Sequence, residues 1–233
     1  MKQPVFRILC LHGDGTNAAI FAAQARHLAR ALAPHNIELV HVTAPFECQA
    51  GFGVSPFFDD CGPFYRWFPR DDFNPQVDGP SAVAAAVETA NDLRYEYGDD
   101  RDAFVGILGF SSSAGIVAGI LAAQDLAAKR PDLRSDVYYR FRFGVIINGT
   151  GMPLQFLDAQ EGEYDWRNKP INVPTVAVIG TLDQWESQSR RIVQCFNGEV
   201  VKCFEYENDH VVPTDEKQVR EIANAIVTVA AVA

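Results

Sequence analysis

The stretch Gly109-Phe110-Ser111-Ser112-Ser113-Ala114-Gly115 leaves the chain around it little freedom. It follows the apolar run at residues 104–108 and precedes a long segment of alanine, isoleucine and leucine. A buried strand, then Gly-x-Ser-x-small, then a helix is the pattern of a nucleophile elbow, a tight turn that holds a serine hydroxyl at the edge of a sheet. The residues beside such a serine are small because the helix closes tightly on the strand. Gly109 meets that need two residues before Ser111, and two residues after it Ser113 stands where a glycine is usual. The same residues also read as a plain helix N-terminus, with a serine capping residues 116–128. What separates the two readings is whether an acid and a histidine follow later, in that order and each after a strand.

Apolar runs of buried-strand type recur along the chain and alternate with helical patterns. Residues 5–11 form the first, ending in His12-Gly13-Asp14-Gly15-Thr16-Asn17 before an amphipathic helix at 18–32. That turn lacks the Gly-Lys-Ser/Thr ending of a P-loop and the Gly-x-Gly-x-x-Gly spacing, which argues against a nucleotide site. Its backbone N–H groups read either as one wall of an oxyanion hole or as a simple βα turn, with His12 a structural residue rather than a general base. A second strand at 37–43 is stopped by Ala44-Pro45. Ser81 caps a helix that Gly98 closes, and this helix crosses over to strand 104–108 in a right-handed βαβ unit. The helix after the elbow ends before Pro131, and strands at 140–147, 173–179 and 199–206 follow. Helices are expected at 187–196 and from about Thr214. The sum is one α/β domain over residues 1–233, a mostly parallel sheet of about six strands with helices on both faces.

Two strand ends carry the missing partners. Strand 173–179 empties into Gly180-Thr181-Leu182-Asp183, and strand 199–206 into Asn208-Asp209-His210. In open α/β sheets, sites are built at the C-terminal strand edge. Ser111, Asp183 and His210 therefore reach one edge in the chain order Ser, acid, His of the α/β-hydrolases. Asp183 is the preferred acid over Asp209, Asp158 and Asp165.

Between the second strand and the first crossover helix, residues 46–80 lose all periodicity and carry nine aromatic residues among glycines and prolines, Phe46 to Phe73. A loop this long is usually functional or disordered, and its aromatic density argues against disorder. It reads as a lid over the sheet edge that lines an apolar substrate pocket, with Phe64, Tyr65, Trp67 and Phe68 as lining residues. The alternative is a lid that only packs as a satellite core. Residues 152–172, with Phe156, Leu157, Tyr164 and Trp166, read as a second pocket rim.

Composition narrows the function classes. A formal net charge of -10 argues against a nucleic-acid partner, which needs a basic face. No apolar run is long enough to span a membrane, and the first residues do not form a secretory signal. Five cysteines without a Cys-x-x-Cys pair suggest reduced thiols in a cytoplasmic protein, with a Cys48–Cys61 pairing the remaining option. No cluster has the spacing of metal ligands, and no cofactor is expected.

The chain resembles the fungal serine hydrolases of the FSH family, within the α/β-hydrolase fold. The resemblance rests on Leu11-His12-Gly13-Asp14-Gly15-Thr16-Asn17, Gly62-Pro63-Phe64-Tyr65-Arg66-Trp67-Phe68, the elbow, Gly180-Thr181-Leu182-Asp183, and His210 with Pro213. It implies a small esterase or thioesterase, such as an accessory enzyme that releases a polyketide acyl group from its carrier. It also implies backbone oxyanion donors at Asp14 and Ser112, the latter being the residue after the nucleophile. Ser113, and Asn208-Asp209 where the family has a glycine pair, depart from the pattern. Two alternatives stand beside this reading: a general carboxylesterase of small esters, and a non-hydrolytic, ligand-binding member whose elbow Ser113 has altered.

Overall fold

The computed structural model describes residues 6–69, 75–98, 100–129, 139–151 and 170–232. In chain order the elements are β1 (Phe6–Leu11), α1 (Ala18–Gln24), α2 (Arg26–Leu32), β2 (Ile37–Val42), β3 (Phe46–Cys48), β4 (Phe64–Arg66), α3 (Pro75–Asp92) and α4 (Arg94–Tyr97). They continue with β5 (Gly106–Phe110), α5 (Ser113–Lys129), β6 (Phe143–Ile147), β7 (Thr175–Gly180), α6 (Glu186–Val193), β8 (Val201–Tyr206) and α7 (Glu216–Val232). Six of the strands form one sheet in the order β2-β1-β5-β6-β7-β8, and every pairing in it is parallel.

The strand sequences explain the layering. In β1, Leu9 and Leu11 join Ile107, Ile146, Val83, Val87 and Val117 on one face, while Ile8 and Cys10 join Leu108, Val145, Phe21, Leu28 and Ile226 on the other. Successive side chains of a strand point to opposite faces, so a continuous apolar run supplies two cores at once. Strands β5, β6 and β7 are buried at every position, as a central parallel sheet requires. Because all six strands run the same way, the residues after Leu11, Phe110, Ile147, Gly180 and Tyr206 emerge along one edge.

Some boundaries differ from the sequence expectation. The helix expected at 18–32 is two, α1 and α2, which meet at buried Ala25. Helix α3 begins at Pro75, not Ser81, so residues 75–80 belong to it and not to the lid. A proline at a helix start has no N–H to leave unpaired, which suits Pro75, and Pro80 lies inside the helix. The aperiodic loop contains an antiparallel pair, β3 with β4. Its three-residue strands are too short to show an alternating pattern in sequence.

The close packing expected behind the elbow is present. A Cβ built on Gly109 would lie 2.7 Å from the Ser113 carbonyl oxygen, 2.8 Å from Val117 Cγ2 and 2.9 Å from Ala114 Cα. Gly109→Ala is therefore expected to push α5 off the sheet and destabilise the protein by about 1–3 kcal/mol. Urea unfolding of the variant beside the wild type measures it, and an unchanged midpoint would contradict this packing.

Candidate active site

Ser111 directly follows β5 with φ of +60°, in the left-handed region that a serine adopts only when its surroundings hold it there. Both of its backbone groups are held. Its N–H donates to the Ile147 carbonyl at 3.1 Å, and its carbonyl accepts from the N–H groups of Ala114 and Thr150, each at 3.1 Å. This conformation lifts the hydroxyl clear of the sheet edge.

His210 Nε2 lies 2.9 Å from Ser111 Oγ, and its Nδ1 lies 2.7 Å from Asp183 Oδ2. Asp183 is buried, and its other oxygen accepts the Trp185 N–H at 2.8 Å. A carboxylate can only accept, so the imidazole carries its proton on Nδ1 and presents a lone pair on Nε2 to the serine. The arrangement can draw a proton from the hydroxyl and stabilise the imidazolium that results. The imidazole is paired with Asp183, and Asp209, the neighbouring alternative, is exposed. Asp158, Asp165 and the rim at 152–169 lie outside the described residues.

The turn after β1 presses on Ser111. A Cβ on Gly13 would sit 2.8 Å from Ser111 Cβ, so only glycine permits this approach. The Ser112 hydroxyl donates to Asp14 Oδ1 at 2.7 Å, which clasps the two segments whose backbone N–H groups are the candidate oxyanion donors. Burial raises the Asp14 carboxyl to a pKa of about 6, opposed by the Ser112 hydrogen bond and the charge of Arg66. Ser113, the departure from the elbow pattern, points away from this network. Its buried hydroxyl lies 2.7 Å from the Leu11 carbonyl and 2.9 Å from that of Phe110, and it accepts the Phe110 N–H. It therefore joins the ends of β1 and β5 and does not touch the histidine.

His12 is structural. It is fully buried, accepts the Ala44 N–H on Nε2 and contacts the Gly13 carbonyl and Thr16 Oγ1 through Nδ1. Burial lowers its pKa to about 4, partly offset by the Gly13 hydrogen bond, and the nearby His41 lowers it further.

The aromatic lid residues do not sit where the sequence suggested. A cleft of about 840 Å³ opens in front of Ser111, lined by Phe52, Phe57 and Phe58 of the aromatic loop and by Leu182, Trp185 and Val211. Phe64, Tyr65, Trp67 and Phe68 are absent from its described walls. Trp67 is fully buried and donates its indole N–H to the His12 carbonyl at 2.9 Å, while Tyr65 and Phe68 pack against the core. Tyr65 also exchanges backbone hydrogen bonds with Gly15 and Thr16, so β4 braces the turn that carries Asp14. An aromatic-rich loop without periodicity does not reveal which of its rings face inward. Phe52 and Trp185, which the sequence reading missed, meet edge to face with centroids 5.0 Å apart, and Trp185 stands 4.6 Å from the His210 ring. The exposed apolar residues give the only retrospective signal. Of the five large ones among the described residues, Phe52, Phe57, Leu182 and Val211 all line this cleft.

Among the described residues, no group of histidine, cysteine and carboxylate side chains could hold a metal ion, and no helix is long and apolar enough to cross a membrane. No disulfide joins any of the five cysteines, so Cys48 and Cys61 do not pair.

A parallel sheet whose C-terminal edge carries a serine on a strained turn, bonded to a histidine and through it to a buried aspartate, defines the class of α/β-hydrolases with a serine nucleophile. The sequence profile described as "Serine hydrolase (FSH1)" matches residues 1–222, and the chain belongs to that family. Similar proteins include a "Probable esterase" of Aspergillus terreus, 33% identical over 230 residues that span 94% of this chain and 87% of the relative. "Thioesterase FSL2" of Gibberella zeae is 28% identical over 239 residues, 95% of this chain and 91% of the relative. Among solved structures, acyl-protein thioesterase 2 of Zea mays shares the fold with a TM-score of 0.66 at 18% identity, over 98% of this chain and 95% of that one.

Two stability predictions follow from the buried polar groups. Ser113→Ala leaves the buried Phe110 N–H without its acceptor and is expected to cost about 1–3 kcal/mol in urea unfolding. The lowered pKa of His12 means that the folded state binds fewer protons there than the unfolded state. Its contribution is complete above about pH 6.5 and is lost as pH falls towards 4, a change of roughly 3 kcal/mol. The raised pKa of Asp14 runs the opposite way, with its ionisation costing stability as pH rises through 4 to 6. Unfolding measured from pH 7.5 to 4.5 should show a flatter acid slope in His12→Asn than in wild type, and equal slopes would refute the assignment.

Proposed function

We propose that this serine hydrolase cleaves esters or thioesters of bulky apolar acyl groups through an acyl-enzyme on Ser111, with His210 as general base and acid and Asp183 as its orienting partner. The observation that carries this reading is the continuous hydrogen-bonded path from Ser111 Oγ through His210 to Asp183, opening on an aromatic cleft. As Ser111 Oγ attacks the acyl carbonyl, its proton passes to Nε2. The oxyanion is received by the backbone N–H groups of Ser112 and Asp14, at the start of α5 and beside the Gly13 contact. His210 then protonates the leaving alcohol or thiol, and water attacks the acyl-enzyme with the same histidine as base.

The apolar part of the substrate lies on Phe52, Trp185, Leu182 and Val211. Of these, Phe52, Leu182 and Val211 are exposed, and they cost the free protein apolar surface in water that a bound acyl group would cover. The esterase and thioesterase relatives support the reaction class, and we propose a polyketide acyl group, carried on a protein or released as a free ester, as the substrate. Ser113 gives no support to a non-hydrolytic reading, since its hydroxyl is spent on backbone groups behind the elbow. A cytoplasmic setting agrees with five cysteines that form no disulfide.

Fluorophosphonate labelling, read by intact mass and peptide mapping, is expected to give one adduct on Ser111 that is lost in Ser111→Ala and His210→Ala. No adduct, or one on Ser112 or Ser113, would remove the proposal. With the active serine in hand, Phe52→Ala is expected to shift the ratio of kcat/KM between a bulky aryl thioester and its acetyl counterpart at least ten-fold towards acetyl. An unchanged ratio would take Phe52 out of substrate selection.

A further inference from the structure

We propose that Asn148 is a positioning residue of the hydrolytic reaction, whose carboxamide sets the place of His210 relative to Ser111. The inference rests on the assignment of Ser111 and His210 as the reacting pair. In sequence, Asn148-Gly149 after an apolar strand reads only as a turn. In the structure Asn148 directly follows β6 in the left-handed region, with φ of +44°, and is almost wholly buried.

The capacity of its side chain is directed at the site. Nδ2 donates to the carbonyls of Asp209 at 3.3 Å and Val211 at 2.8 Å, the residues on either side of His210. Oδ1 accepts the N–H of Gly180 at 2.7 Å, the last residue of β7 and the start of the turn that carries Asp183. One amide group thus joins the loop of the acid to the loop of the base. The two loops also meet directly, for Leu182 N–H donates to the Asn208 carbonyl, and a Cβ on Gly180 would lie 2.4 Å from that same oxygen. No side chain could be added there without moving the histidine loop.

The residues around Asn148 hold the other partner. Ile147 receives the N–H of Ser111, and Thr150 donates to its carbonyl. Between them, residues 147–150 grip the nucleophile by both backbone groups and the base by both neighbours. The separation of 2.9 Å between Oγ and Nε2 is therefore fixed across one short turn at the end of β6. A shift of about 1 Å between reacting groups is enough to cost a large factor in rate.

Asn148→Asp keeps the size and one acceptor but removes both donors, while Asn148→Gly removes the whole carboxamide and relieves the positive φ. Both are to be assayed at a temperature where circular dichroism shows them folded, with kcat, KM and the rate of fluorophosphonate labelling of Ser111 as readouts. The expected result is a fall of at least thirty-fold in kcat and a parallel fall in labelling rate, with KM within about three-fold of wild type. In a His210→Ala background the same substitutions are expected to change the residual rate by less than two-fold, because Asn148 acts through the histidine. Folded variants with wild-type kcat, or an equal loss in the His210→Ala background, would overturn the proposal. If the wild type itself takes no label on Ser111, it is the hydrolase assignment that fails. Should Asn148→Asp not fold, Asn148→Gly decides alone.

Discussion

The hydrogen bond of Asp183 to His210 has meaning only because six parallel strands end on one edge. The acid is 72 residues beyond Ser111 and the histidine 27 beyond the acid, yet each needs only a few residues of turn after its strand to reach the others. Neighbouring parallel strands fix the spacing between those turns, and buried β5, β6 and β7 leave the frame little room to adjust. The chemistry at the edge thus inherits its tolerance from the packing behind it.

That packing is tightest where the backbone is least ordinary. Gly109 lets α5 close on β5, Gly13 lets the turn after β1 touch Ser111, and the Ser113 hydroxyl pins the ends of β1 and β5 together. In a glycine elbow the third of these links would be missing. Ser113 exchanges the conformational freedom of glycine for hydrogen bonds to a strand-end carbonyl and a buried N–H, so the departure from the family pattern is a different way of securing the same turn.

The sheet and the strand-end residues were legible in the sequence because a buried parallel strand announces itself by composition and stops at glycine or a polar residue. Ser111, Asp183 and His210 each follow such a stop, and the structure places them within hydrogen-bond reach of one another. That the aromatic loop lends walls to a cleft was legible, but not which of its rings face it. Trp67 turned inward to the carbonyl of His12, and Phe52, flanked by two glycines with no local pattern to orient it, turned towards the cleft. Asn148 was invisible for a further reason, since its partners at Gly180, Asp209 and Val211 are fixed by sheet order and not by local sequence. Ser81 misled because a serine ahead of an apolar-periodic run reads as an N-cap, whereas α3 starts at Pro75 and runs through it.

The aromatic loop is tied down on both sides of the stretch that faces the cleft, with β3 paired to β4 and the Gly51 N–H donating to the Gly15 carbonyl. Asn17 holds the Cys61 and Pro63 carbonyls, Thr16 and Gly15 pair with Tyr65, and Trp67 is sealed beneath His12, whereas the side chains that face the cleft come from Phe52 to Phe58. The anchored parts brace the turn that carries Asp14, and the stretch between them meets whatever enters the cleft. The rings of Phe52 and Phe57, exposed in the cleft, are thus the part of the loop that can change in size without loosening the anchors on either side of them.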